Sequence, residues 1–227
     1  LALARAGYDI IANDIIADPS NQEKGVYEVA RRVAEAGRRC LPVQGDVSAA
    51  GDHRRLLEAA VAEFGGIDVL VNNAGIIVPN LFEDVTHAEV GRQVGVNLLG
   101  PINCAMEAVP YLKKRGGGNI VTISSLAGIV PETYSSIYTA TKFALRGLGL
   151  TLHIELKRHN IHVSTVFPDS VDTPMLKFEA EHGGSPLTFR APPQSPAAVA
   201  EAVYRAMVCK KPEVCVPAFD GFMSKLL

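Results

Sequence analysis

What most restricts the fold of this chain is an alternation. Short runs of branched aliphatic residues are each followed by a longer stretch of helical character, and several of those stretches end at glycine. Tyr8-Asp9-Ile10-Ile11-Ala12-Asn13 reads as a strand ending at Asp14, and a polar loop through Pro19 leads to a helix over residues 21–36 that Gly37 stops. Cys40-Leu41-Pro42-Val43 is a short strand feeding Asp46, with Ser48 placed to cap a helix that reaches Phe64 and is closed by Gly65-Gly66. Ile67-Asp68-Val69-Leu70-Val71 is the next strand. Thr86 and Glu89 resemble a partial capping box for a long helix reaching Arg115, which Gly116-Gly117-Gly118 breaks. Further strands over 119–123, 161–167 and 213–216 are separated by helices over 138–158 and 196–209. Strands this apolar need cover on both faces, and strands separated by helices pair in parallel. The pattern predicts an α/β fold with a doubly wound parallel sheet, in one domain spanning residues 1–227. Leu1-Ala2-Leu3-Ala4-Arg5-Ala6 reads as the last turns of a helix closed by Gly7, so the sequence begins inside an element.

Composition narrows the function classes. A chain of 227 residues that is 48% hydrophobic has ample material for a core, and its net charge of −2 offers no broad attraction for phosphate backbones or anionic lipid. No nucleic-acid or membrane partner is expected, and no apolar run approaches the roughly 18 residues that a membrane span needs. Cys40, Cys104, Cys209 and Cys215 form no C-x-x-C pair, and the six His show no ligand spacing. The expectation is a cytoplasmic protein with reduced thiols and no metal site.

Candidate chemistry lies between Ser124 and Lys142. If Tyr138 opens a helix, Lys142 lies one turn on along the same face, so a phenol and an ammonium enter one site. A nearby cation favours the phenolate, which would bring the phenol toward the working pH as a proton donor and acceptor. Ser125 ends an apolar strand, at the edge where ligands of open α/β sheets bind. With 6 Tyr among 227 residues, a Tyr-x-x-x-Lys pair arises by accident in roughly one such chain in four, so its surroundings must carry the weight.

Those surroundings match a family. Asn72-Asn73-Ala74-Gly75 after a strand, Asn97 in the following helix, Ser125 thirteen residues before Tyr138, Tyr138-x-x-x-Lys142 and the 168–175 segment together resemble the classical short-chain dehydrogenase/reductases, over nearly the whole chain. The resemblance implies a Rossmann-type fold, a bound nicotinamide dinucleotide, and an enzyme that transfers a hydride between that cofactor and a ketone or secondary alcohol. Tyr138 would be the general acid/base. Lys142 would tune it and hold the nicotinamide ribose, Ser125 would donate to the substrate oxygen, and Asn97 would anchor a proton-relaying water. On the cofactor side, Asp14 would accept from the adenine ribose and favour NAD over NADP, Asp46 and Val47 would border the adenine, and Asn73, Ala74 and Gly75 would admit the ribose. Pro168, Val171 and Thr173 would cover the nicotinamide.

Three departures accompany the match. Asp169 stands where the family usually has Gly, which bears on the backbone of that turn. No Gly-rich phosphate loop and no first strand occur in these 227 residues, so the expectation is a domain truncated at its amino terminus and an enzyme seen incomplete. Val214-Cys215-Val216-Pro217 replaces the family's common ending. The alternatives are an NADP-dependent 3-oxoacyl-type reductase, or a non-catalytic relative that keeps the fold as a binding or regulatory module. Ile76-Ile77-Val78 and Ile129-Val130 suggest a fairly apolar small-molecule substrate, with 176–190 as a lid. Apolar faces of the helices over 86–115 and 138–158 resemble those through which the family forms homodimers and homotetramers.

Overall fold

The alternation of apolar runs and helical stretches folds into six parallel strands threaded by eight helices among the described residues, 1–218 of the chain in a computed structural model. In order these are α1 (Ala2–Arg5), β1 (Ile10–Asp14), α2 (Gly25–Glu35), β2 (Cys40–Gln44), α3 (Asp52–Phe64), β3 (Val69–Asn72) and α4 (His87–Val94). There follow α5 (Gly100–Arg115), β4 (Gly118–Ile123), α6 (Ser136–Leu156), β5 (Ile161–Pro168), α7 (Pro174–Glu181), α8 (Pro196–Val208) and β6 (Glu213–Val216). The strands stand in the orders β1-β2 and β3-β4-β5-β6, as two separate ladders. With helices between successive parallel strands, this is the expected doubly wound α/β arrangement.

Side-chain alternation distributes the core. Ile120 and Val163 face the layer of α3 and α5, joining Leu57, Ala60, Ala105, Ala108 and Leu112, while Val121 and Val166 face Ala202, Ala206 and Met207 of α8. Each fully buried aliphatic side chain of this kind contributes about 1.5–3 kcal/mol, so both faces of β4 and β5 hold the centre together. Close approach matters at Gly149, where an added Cβ would stand 2.2 Å from Thr165 Oγ1, so α6 lies directly against β5.

Three local expectations change. Ser48 does not cap α3: its N–H and hydroxyl both donate to Asp46 Oδ1, at 2.8 and 2.7 Å, and the helix begins after Gly51 in a left-handed conformation. Helix α2 starts four residues later than expected, because Asp18 and Asn21 accept from Ser20 N–H and Glu23 N–H and hold that stretch in turns. The long helix over 86–115 opens with a complete Thr86–Glu89 capping box, but α4 and α5 are joined through a π-helical turn, Gly95–Leu99.

Candidate active site

Strand β4 delivers Ser124 and Ser125 to its carboxyl end, and α6 then returns across them. Ser125 caps the short 3₁₀ turn Leu126–Gly128, its hydroxyl accepting from Ala127 N–H at 3.1 Å. The buried Ser124 hydroxyl donates to the Lys142 carbonyl at 3.0 Å, and a Cβ on Gly128 would come within 2.7 Å of both Ser124 Oγ and that carbonyl. Ser124 and Gly128, neither foreseen from the sequence, therefore clamp the turn bearing Ser125 onto α6 at Lys142. Tyr138 lies one turn earlier, with the Ser125 hydroxyl near enough to act on its phenol. Lys142 is buried, its Nζ donating to the Ile123 carbonyl at 3.0 Å and standing 5.3 Å from the centre of the Tyr138 ring. Ser125, Tyr138 and Lys142 are thus brought together.

The electrostatics differ from the expectation of a lowered phenol pKa. Burial pushes Tyr138 above its ordinary value, the Ser125 hydroxyl opposes this, and negative charge at Glu132 and Glu179 adds to it. Burial also lowers the Lys142 ammonium to about 8. Without ligand, then, desolvation outweighs the cation and Tyr138 rests as a protonated donor. Glu132 was not foreseen. Burial first, then Glu179 and Asp169, push its carboxyl up to about 7.

Asn97 sits fully buried in the π turn, a departure from α geometry that is frequent at functional sites. Its amide grips the Ile76 backbone at both ends: Oδ1 accepts from Ile76 N–H and Nδ2 donates to Ile76 C=O, each at 2.8 Å. A Cβ on Gly75 would stand 3.6 Å from Asn97 Oδ1 and 3.7 Å from Lys142 Nζ, so glycine keeps open the space between those two polar groups. Asn73 and Ala74, just before it, are exposed at the end of β3.

On the far side, Asp14 ends β1 with Oδ1 accepting from Ile16 N–H at 2.9 Å. A cleft of about 340 Å³ opens beside it, lined by Ile15, Gln44, Gly45, Asp46, Asp52 and Arg55. Val47 packs against Gly100 at the start of α5, where a Cβ would meet Val47 Cγ2 at 3.0 Å. Arg55 and Asp52 were missed because they belong to the first turn of the following helix, outside the Asp46-Val47 pair.

Beyond β5, Asp169 N–H donates to Val216 C=O at 2.8 Å, Val171 bridges Gln194, and Thr173 caps α7 through Leu176 N–H. Asp169 is not among the residues with left-handed backbone, so the turn needs no glycine there. Tyr134 is, with φ +60°, and its carbonyl accepts from Asn80 N–H at 2.8 Å, which ties the loop after β3 to the loop before α6. The 176–190 stretch is helical only through Glu181 and is pinned where Thr188 Oγ1 donates to Glu179 at 2.7 Å.

All the expected residues therefore stand at the carboxyl ends of the strands, the ligand edge of such sheets. They fit a dinucleotide on the structure's own terms: one oxygen each of Asp14 and Asp46 is bound within its turn, leaving the other for a ligand, and Gly75 leaves room beside Lys142. Among the described residues no cluster of three or more His, Cys, Asp or Glu is placed to hold a metal ion, and no helix is long and apolar enough to cross a membrane.

Comparison with known proteins adds to this geometry. The family model for short chain dehydrogenase matches residues 1–183. Two Mycobacterium tuberculosis proteins named as uncharacterized NAD-dependent oxidoreductases are 37% identical over 186 residues, covering 78% of this chain and 68% of theirs. A 3-alpha-(or 20-beta)-hydroxysteroid dehydrogenase of Mycobacterium bovis is 36% identical over 180 residues, 79% of this chain and 66% of its own. The alignments thus span about two-thirds of these relatives' length. A crystal structure described as a short-chain alcohol dehydrogenase from Sinorhizobium meliloti superposes with a TM-score of 0.80 at 25% identity, covering 94% of this chain and 86% of that one.

Proposed function

The chain belongs to the classical short-chain dehydrogenase/reductase family and is an oxidoreductase; from that premise we propose that it uses NAD to interconvert a ketone and a secondary alcohol, with Tyr138 as general acid/base. The observation that carries this reading is the convergence of Ser125, Tyr138 and Lys142 at the carboxyl end of β4. When bound, the dinucleotide supplies or takes up the hydride. The chain's own groups manage the proton. In the reducing direction Tyr138, protonated at rest, gives its proton to the substrate oxygen, and the Lys142 ammonium 5.3 Å from the ring stabilises the phenolate left behind. Ser125 donates to the same oxygen as charge develops there. Asn97 holds Ile76, and with it Gly75, against the Lys142 side of the site.

Asp14 supports a preference for NAD, since a carboxylate accepts from a ribose hydroxyl and repels a 2′-phosphate. Asp46, Val47, Asn73, Ala74 and Gly75 line the adenosine side, and Pro168, Val171 and Thr173 the nicotinamide side. The exposed Leu81, Phe82, Tyr134 and Phe178 support a fairly apolar small-molecule substrate, as does the hydroxysteroid-dehydrogenase relative. Exposed Met106 on α5 and Phe143, Leu150 and Ile154 on α6 support a homodimer or homotetramer built on those helices; a cytoplasmic location belongs to the same reading, in keeping with the free thiols of its four cysteines.

Tyr138→Phe tests the reading. It keeps the ring and removes the proton, so turnover of hydrophobic secondary alcohols, followed by NADH absorbance, should fall about 10²–10⁴-fold while NAD binding and the thermal transition persist. Turnover near the unmodified rate in Tyr138→Phe would overturn it.

A further inference from the structure

The first turn of α3 is wired to the end of β2 by more bonds than helix capping needs. Asp52 Oδ2 accepts from Asp46 N–H at 2.9 Å, and Asp52 Oδ1 pairs with Arg55 Nη2 at 3.0 Å. The same Arg55 Nη2 donates to Gln44 C=O at 2.9 Å, so the segment from Gln44 to Asp46 is held at both ends by one helix turn. Ser48 donates twice to Asp46 Oδ1, which fixes the carboxylate and leaves Oδ2 as the acceptor without a partner in that turn. His53 Nε2 bonds Val47 C=O at 2.5 Å, so the next residue is held from α3 as well. Gln44, Asp46, Asp52 and Arg55 all line the cleft beside Asp14.

We propose that Asp52 and Arg55 are cofactor-positioning residues that act through Asp46, aiming its carboxylate at the 6-amino group of the adenine; the proposal rests on the dinucleotide reading above. A carboxylate is acceptor-only and an exocyclic amine is a donor, so a correctly aimed Asp46 selects for adenine. Hypoxanthine presents a carbonyl oxygen at that position, and acceptor then faces acceptor. A hydrogen bond to a charged group is worth about tenfold or more in affinity, and that discrimination survives only while the carboxylate is held in place. The plain alternative is that Asp52 is an acid in the first turn of a helix and Arg55 half of a surface ion pair, with its side chain 56% exposed. A role confined to that would alter stability without altering the choice of base.

The test measures dissociation constants for NAD and for nicotinamide hypoxanthine dinucleotide by calorimetry, in the unmodified protein and in Arg55→Ala and Asp52→Asn, with kcat at saturating NAD and melting temperature alongside. The unmodified protein should favour NAD by about tenfold or more. Both variants should bring the two dinucleotides within about threefold by loss of NAD affinity, with any change in KM for NAD exceeding the change in kcat, and Arg55→Lys should restore part of the difference because a single ammonium reaches fewer acceptors. An unchanged ratio in Arg55→Ala, whatever its melting temperature, overturns the proposal. Binding of NAD without discrimination in the unmodified protein overturns it too and leaves the oxidoreductase reading standing. Failure of the unmodified protein to bind either dinucleotide brings down both.

Discussion

At the catalytic end of the site Asn97, Lys142 and Ser124 are buried, and each bonds the backbone of an element distant in sequence. At the other end, around Asp14, that residue is exposed, Ile15 is 65% exposed, and the polar groups are held by tight turns and the first turn of α3. The difference is one of dielectric and of leverage. Buried polar groups gain or lose several kcal/mol with their partners, so an error there is felt by the chemistry and the fold at once. Groups in water can be exchanged with little effect on folding, and the exposed end is therefore where cofactor choice can vary while the catalytic end stays constant.

The largest test of this contrast is Lys142→Met. The change removes an ammonium that burial has already lowered to about 8, so NAD-dependent turnover should drop by about 100-fold or more while thermal stability holds or rises. A large loss of melting temperature would mean that the ammonium holds the fold, and the division between chemistry and scaffold would have to be redrawn. Asn97→Ala comes next and should strike both properties: it strands the Ile76 N–H and C=O, at about 1–3 kcal/mol for each unsatisfied group. Urea unfolding should register a loss of about 2–5 kcal/mol, and a loss below about 1 kcal/mol would show that water replaces the amide.

Asp14→Ala probes the open end. Steady-state kinetics with both dinucleotides should show the NAD preference, expected at about tenfold in kcat/KM, shrinking by loss of NAD affinity, with stability changed by less than about 0.5 kcal/mol. Equal use of NAD and NADP by the unmodified protein would place the Asp14 carboxylate away from the ribose.

The smallest expected effect concerns Glu132, which lies at the catalytic end with its carboxyl only partly covered. Its pKa rises from an ordinary 4.5 to about 7 on folding. Between those values the unfolded chain has released a proton that the folded chain keeps, so stability declines as pH rises through that window. Glu132→Gln should remove about 1 kcal/mol of that decline once partial solvation is allowed for, read as a flatter plot of unfolding free energy between pH 5 and 7. A plot of unchanged slope would mean that Glu132 is ionised in the folded protein.

Legibility in the sequence followed the same division between local and long-range causes. The strands could be read because period and burial are local, and Ser125, Tyr138 and Lys142 because one strand end and one helix turn fix their spacing. The Thr86 capping box was equally local. Ser124 and Gly128 escaped because their partner is the carbonyl of Lys142, fourteen or more residues away, and Arg55 because its partners lie across a turn. Ser48 was misread as a cap because a nearer acceptor, Asp46, captured its hydroxyl. The raised pKa of Tyr138 depends on burial and on Glu179 in α7, neither of which spacing along α6 reveals.

The π turn at Gly95–Leu99 carries a consequence for length rather than composition. It holds one residue more than an α turn, so α5 emerges rotated by about 100° from the phase that α4 would have given it. Like the offset scale of a vernier, that surplus lets one rod satisfy three fixed marks: the capping box at Thr86, Asn97 against Ile76, and the buried stripe Ala105–Ala108–Leu112. Exchange of an exposed side chain such as Leu99 leaves the count intact. Deleting a single residue between Gly95 and Leu99 would not, because a rod in continuous α phase can meet two of those marks and must forfeit the third.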